Sequence, residues 1–114
     1  MSVLPVPALA IAVAVLSTVP ALASPAPVVM TLKDHRFTPA AVTVPPGEKI
    51  TIQLINHDMA TEEFDSHDLK VEKLVTPGGR VTFTVGPLTP GAYAFMGEFH
   101  PATAQGRIVA QAGR

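Results

Sequence analysis

Two short stretches of the chain carry side chains that could bind a metal ion. Imidazole and carboxylate groups stand within a few residues of one another in both, and the donors we single out are Glu62, Glu63, His67, Glu98 and His100. This mixture of nitrogen and oxygen donors suits first-row transition ions such as iron, Cu(II), manganese or zinc. Acidic groups on loops are usually solvated, so the residue types alone leave a metal site and an ordinary polar surface as open alternatives.

The chain contains no cysteine, which excludes several kinds of site. Disulfides, common in small exported domains, cannot form here, and a copper–thiolate bond is unavailable to any metal centre. Lipid anchoring through an acylated cysteine is excluded in the same way. A hydrolase also lacks support: Ser24 and Ser66 are the only serines after residue 23, and no HExxH motif occurs.

The elements that position these donors are predicted to be short strands. Apolar residues alternate with polar ones, most regularly at Ile50, Ile52 and Leu54, and this period of two is typical of strands. Turns rich in proline and glycine separate the predicted strands, which cover residues 28–32, 42–44, 50–55, 81–85, 93–95 and 108–110. The pattern predicts an all-β fold, an antiparallel sandwich or barrel. Residues 57–70 and 97–106 are expected to be irregular loops at one end.

The first 23 residues are typical of a secretory signal peptide. Residues 8–19 are apolar apart from Ser17 and Thr18, and Ala21-Leu22-Ala23 resembles a cleavage site. The apolar run is shorter than the roughly 20 residues of a membrane-spanning helix, although no lysine or arginine precedes it. We therefore expect a signal peptide over 1–23 and one domain over 24–114, located in the periplasm without a membrane anchor.

The charge of the chain argues against one class of partner. Its formal net charge is −1, and no basic patch with interleaved aromatic residues occurs. Nucleic acid is therefore not expected as a partner.

Several segments in order resemble the cupredoxin family, specifically the EfeO-type cupredoxin-like domain of bacterial iron transport. The matching segments are Phe37-Thr38-Pro39, Val42-Thr43-Val44, Gly47-Glu48, Ile52 to Asn56, Gly91-Ala92-Tyr93 and Phe99-His100-Pro101. The resemblance implies a Greek-key β-sandwich of about seven strands. It also implies that ligands come from the loop after the strand ending in Asn56 and from the last loop.

The departures from the blue-copper pattern concern three of its four ligands. Glu62 stands where the first histidine is expected and Gly97 where the cysteine is expected, and no methionine follows His100 before Gly106. Only His100 matches the family's ligand set. The remaining donors are expected to form a carboxylate and histidine site for an iron or copper ion. His35 and His57 are expected to be surface groups, and Phe64 and Phe99 to shield the site.

The resemblance implies periplasmic handling of iron, by binding, oxidising or delivering it to a membrane permease. An enzymatic role in Fe(II) oxidation is left open, since the sequence shows no second redox site. Two alternatives remain at this point. One is a copper-binding or copper-delivery protein, and the other is a metal-free β-sandwich that serves as an interaction domain.

Overall fold

The computed structural model describes residues 2–16 and 24–113, and the second of these segments folds into nine strands. They are β1 (Val28–Lys33), β2 (Arg36–Thr38), β3 (Ala41–Val44), β4 (Ile50–Asn56), β5 (Glu62–Ser66), β6 (Val71–Val75), β7 (Arg80–Val85), β8 (Gly91–Gly97) and β9 (Gln105–Ala110).

The strands form two sheets that pack face to face. One sheet has the order β2-β1-β4-β7, and the other has the order β3-β9-β8-β5-β6. Most neighbouring strands are antiparallel, but β1 pairs with β4 and β3 pairs with β9 in parallel. The predicted all-β sandwich is thus confirmed, with nine strands in the described residues where about seven were expected and with mixed rather than purely antiparallel sheets.

The expected loop over residues 57–70 contains a strand, and this part of the prediction was wrong. Strand β5 runs through it and pairs with both β6 and β8. Its inward positions are Glu62, Phe64 and Ser66, while Glu63 and Asp65 face outward. Two of the three inward residues are polar, so the apolar alternation that reveals a half-buried strand is missing.

The core between the sheets ends in a group of phenylalanines. Phe64 is fully buried and lies against Phe95, with ring centroids 4.8 Å apart. Phe37 and Phe83 pack edge-on or tilted against this pair. Because Phe64 shares the inward face of β5 with Glu62, the aromatic group fixes the backbone next to the candidate site. Phe99, expected to shield the site, is about half exposed.

The amino-terminal segment is separate from this core. Residues 2–16 have no regular secondary structure, and their side chains are exposed. In the described part of the chain, no helix has the length and apolar character to cross a membrane. The predicted cleavage point between Ala23 and Ser24 falls at the edge of residues 17–23, outside the described residues, so the signal peptide stays a prediction.

Candidate metal centre

Glu62 places a carboxylate inside the sandwich. It begins β5 on the inward face, and its side chain is 1% exposed. Oε1 accepts hydrogen bonds from the backbone N–H groups of Phe99, at 2.8 Å, and Glu63, at 3.0 Å. A buried carboxylate is costly unless such donors surround it. Here both of its oxygens have partners, because Oε2 faces His100.

Gly97 leaves the space that the Glu62 carboxyl group fills. A Cβ atom added at residue 97 would lie 2.6 Å from Cδ of Glu62 and 2.9 Å from its Oε1. It would also lie 2.7 Å from Cβ of Ala104. These distances are far below ordinary contact, so a side chain at 97 and the carboxyl group of Glu62 exclude each other. The family resemblance expects a cysteine at residue 97. The Glu62 carboxyl group, from another strand, fills the space that its side chain would need.

His100 lies on a tight turn between β8 and β9. The turn is closed by hydrogen bonds from the N–H of His100 to the carbonyl of Gly97 and from the N–H of Ala104 to the carbonyl of His100. This directs the His100 ring back to Glu62, with 2.5 Å between Nδ1 and Oε2. The imidazole is 30% exposed, so the pair has one buried member and one that solvent can reach.

The imidazole of His35 covers that of His100. The two rings are stacked, with centroids 3.6 Å apart and planes inclined by 12°. His35 belongs to the two-residue turn between β1 and β2, and its side chain is 41% exposed. One donor atom from each of His35, Glu62 and His100 lies within 4.8 Å of the others. This arrangement brings two imidazoles and one carboxylate together at one end of the sandwich.

Asp58 holds the turn that carries His35. Its carboxylate accepts the backbone N–H groups of Asp34, at 2.7 Å, and His35, at 2.9 Å. Burial acts to raise the pKa of Asp58, but these two hydrogen bonds and the nearby imidazoles outweigh it and hold the pKa below its ordinary value. Asp58 is fixed in turn, because its N–H donates to Oδ1 of the buried Asn56.

A second group of acidic residues lies on the outer face of the sheet that contains β5 and β6. Glu63, Asp65 and Glu72 bring carboxylate oxygens within 4.8 Å of one another. The pKa of Glu63 is raised, first by a hydrogen bond with the Glu98 carboxyl group and then by burial and by the charges of Glu98, Glu72 and Asp65. Strand alternation separates this group from Glu62, since residues 62 and 63 point to opposite faces.

His67 is placed away from both groups. It is exposed and lines a shallow groove together with Asp65, Asp68 and Met96. Of the five predicted donors, the structure therefore brings Glu62 and His100 into direct contact. It places Glu63 beside Glu98 on the outer face and His67 elsewhere. A role for each of them in metal binding stays a prediction.

His35 was interpreted as a surface group, yet it stacks on His100. Asp34-His35 separates two segments, residues 28–33 and 36–38, that pair as an antiparallel hairpin. The β1–β4 pairing then brings residue 32 beside residue 56, which precedes the site. That neighbourhood depends on a long-range parallel pairing, which local periodicity does not reveal.

The donor set does not fit blue copper but fits a harder ion. Without a thiolate the copper–sulfur bond cannot form, and the Glu62 carboxyl group occupies the space in question. Imidazole and carboxylate suit Cu(II), Fe(II) or Zn(II). Two donors bound to one such ion at about 2.0 Å lie roughly 2.8–3.3 Å apart. The 2.5 Å between His100 and Glu62 is within a small adjustment of that separation.

A family model described as "Cupredoxin-like domain" matches residues 6–110. The chain therefore belongs to the cupredoxin-like family. A curated relative, an uncharacterized protein of Rickettsia prowazekii (strain Madrid E), is 46% identical over 80 residues. The match covers 70% of this chain and 64% of that relative, so the chain spans less than two thirds of the relative's length.

Solved structures with the same fold include several copper proteins. Auracyanin A, a "blue" copper protein from Chloroflexus aurantiacus, aligns with a TM-score of 0.66 and 15% identity, covering 77% of this chain and 100% of that chain. The metal-binding domain of the Cu(I)-exporting P-type ATPase CopA of Streptococcus pneumoniae gives 0.67 and 10%, covering 75% and 84%. Amicyanin from Paracoccus versutus gives 0.58 and 15%, covering 75% and 81%. At these identities the likeness shows the fold.

Proposed function

We propose that this chain is an exported metal-binding protein that holds a divalent transition ion through Glu62 and His100 and serves iron uptake in the periplasm. One observation carries the proposal. A fully buried carboxylate is fixed by two backbone N–H groups and directed at an imidazole that solvent can reach. A side chain that only completed the core would not need a charge at this position.

The proposed ion takes the place of the proton between Glu62 and His100. A metal ligand must be deprotonated at the donor atom, so binding of the ion releases the proton between these two atoms to solvent. The backbone hydrogen bonds to the other oxygen of Glu62 orient the carboxylate as outer hydrogen bonds orient ligands in metal sites. The chain itself therefore supplies one preoriented anionic ligand and one imidazole.

Iron is the proposed physiological ion, and this rests on the family resemblance together with the donor types. Oxygen ligands favour harder ions, and Fe(II) and Fe(III) both accept carboxylate and imidazole. Binding and delivery to a membrane permease is the proposed role.

Copper binding is the second candidate, and the structural neighbours favour it. Those neighbours are named as a blue copper protein and as a Cu(I)-loaded domain. A copper carrier that works on Cu(I) normally supplies soft sulfur donors. In this chain the thiolate is absent. Binding of Cu(II) but not of Cu(I) is the expected behaviour.

Isothermal titration of the purified chain tests the proposed function. The metal-free protein is titrated with Fe(II) under anaerobic conditions and, separately, with Cu(II), Zn(II) and Cu(I). We expect His100→Ala and Glu62→Gln each to weaken binding of the divalent ions at least tenfold, about 1.4 kcal/mol. Glu48→Gln, an exposed carboxylate on the turn after β3, is the matched control and should leave the affinity unchanged.

The outcomes of this titration separate the alternatives. No divalent binding tighter than roughly micromolar would favour a metal-free interaction domain. Tight Cu(I) binding that survives both substitutions would favour a copper carrier with other ligands. Affinity alone does not choose between iron and copper, since Cu(II) binds most nitrogen and oxygen sites more tightly than Fe(II) does. The metal content of protein recovered from the periplasm of iron-replete and copper-replete cells makes that choice.

A further inference from the structure

The turn between β1 and β2 has a left-handed backbone conformation. Asp34 and His35 form a two-residue hairpin loop, with Lys33 and Arg36 paired on either side. Both loop residues have positive φ, 51° and 55°. Non-glycine residues are uncommon at positive φ, and Asn, Asp and His are the ones found there most often. The conformation still costs free energy, so contacts around the turn must hold it.

The chain also provides a device that holds this unfavourable conformation. The Asp58 carboxylate accepts the N–H groups of both loop residues, and Asn56 at the end of β4 accepts the N–H of Asp58. The side-chain amide of Asn56 donates to the backbone carbonyls of Ala60, Val75 and Thr76. Backbone strain fixed by its surroundings in this way is characteristic of functional positions.

We infer that His35 is a third metal ligand of the Glu62–His100 site and that Asp58 is the residue that positions it. This inference rests on the proposed function. The ligand class is a divalent borderline ion bound by two imidazoles and one carboxylate. Asp58 supplies a negative charge 3.5 Å from Nδ1 of His35. The charges of Glu62 and Asp58 together then balance a divalent ion.

The two stacked imidazoles are not oriented to bind one ion together. Rings stacked at 3.6 Å cannot both direct in-plane lone pairs at one ion with bonds of about 2.0 Å. Binding must therefore open the stack. His35 is the more exposed of the two rings and the one not hydrogen-bonded to Glu62, so His35 is the ring that turns.

Electron paramagnetic resonance of the Cu(II)-loaded protein tests this, because hyperfine and pulsed spectra count the imidazoles bound to copper. We expect two imidazoles in the unchanged protein and one in His35→Gly, with at least tenfold weaker Cu(II) binding. Glycine suits the positive φ of residue 35, so the variant should fold at least as readily. His35→Asn, also tolerated at positive φ, should give the same result, while the exposed His57→Ala should keep two imidazoles and full affinity.

The readouts distinguish failure of this inference from failure of the proposed function. A single bound imidazole in the unchanged protein, with affinity that falls in His100→Ala but not in His35→Gly, would refute the role of His35 alone. Affinity that survives loss of His100 would refute the proposed function and this inference with it. Asp58→Asn should lower Cu(II) affinity several-fold while His35 remains bound. Unchanged affinity in that variant would overturn the positioning role of Asp58.

Discussion

The packing of Glu62 against Gly97 gives a quantitative prediction for Gly97→Ala. The added Cβ would lie 2.6 Å from Cδ of Glu62, about 1 Å inside ordinary carbon contact. Overpacking of this kind costs about 1–3 kcal/mol. If the carboxylate moves away instead, the N–H groups of Phe99 and Glu63 lose a charged acceptor, and such hydrogen bonds are worth about 1.5–3 kcal/mol each. We therefore expect a loss of about 2–4 kcal/mol in the free energy of unfolding.

Removal of the carboxylate should relieve most of that penalty. In a Glu62→Ala background two of the three close contacts at residue 97 disappear, and only the 2.7 Å contact with Ala104 remains. Gly97→Ala should then cost at most about 2 kcal/mol. With about 3 kcal/mol as the central cost of Gly97→Ala in the unchanged protein, the coupling between the two substitutions should be at least about 1 kcal/mol, above the roughly 0.3–0.5 kcal/mol scatter of independent sites.

A double-mutant cycle followed by urea denaturation in the presence of a chelator measures this coupling. A control cycle pairs Glu62→Ala with Gly79→Ala, whose added Cβ would meet Thr76 and not Glu62, and it should be additive. Additivity within about 0.5 kcal/mol in the Gly97 cycle as well would show that the carboxylate does not occupy the space beside residue 97. The explanation given for the missing thiolate position would then be wrong.

Three further predictions concern the same end of the molecule. Loaded with Cu(II), the double variant Glu62→Ala with Gly97→Cys should gain the visible absorption of a copper–thiolate bond, and Gly97→Cys alone should not; a band in the single variant would contradict the steric argument. Glu63→Gln should raise the free energy of unfolding at pH 7. It should have no effect at a pH well below 4.5, which is the ordinary pKa of this group. The raised pKa of Glu63 means that the folded state loses stability as pH rises through 4.5 and above, and an equal effect at both pH values in urea titrations would refute this. Asp58→Asn should lower the free energy of unfolding at pH 7 by about 1–2 kcal/mol. Because the pKa of Asp58 is depressed, that difference should shrink as pH falls below the ordinary value of 3.8, and a pH-independent loss would point to packing instead.

The sequence predicted the sandwich because its central strands alternate regularly. Strand β4 has three apolar inward positions, Ile50, Ile52 and Leu54, all buried, so period two is visible without knowledge of the fold. Strand β5 gave no such signal, because Glu62 and Ser66 occupy inward positions that apolar residues usually fill. A strand whose inward side chains are polar cannot be recognised from a pattern of alternating hydrophobicity.

The candidate site was foreseen only in part, for the same physical reasons. Glu62 and His100 were singled out because they match ligand positions in the resemblance, and the structure brings them together. Once β5 is known to be a strand, its alternation directs Glu63 away from Glu62. The proximity of His35 could not be predicted from local sequence, since it depends on the parallel pairing of β1 with β4 and on the turn that Asp58 holds.

Anomalous diffraction from crystals of the Cu(II)-loaded protein tests most directly whether Glu62 and His100 share one ion. Data collected on either side of the copper absorption edge locate the ion independently of the protein atoms. We predict one strong peak about 2.0–2.2 Å from a carboxylate oxygen of Glu62 and from a ring nitrogen of His100. A fully loaded protein with its peak on the outer face, among Glu63, Asp65 and Glu72, would contradict it.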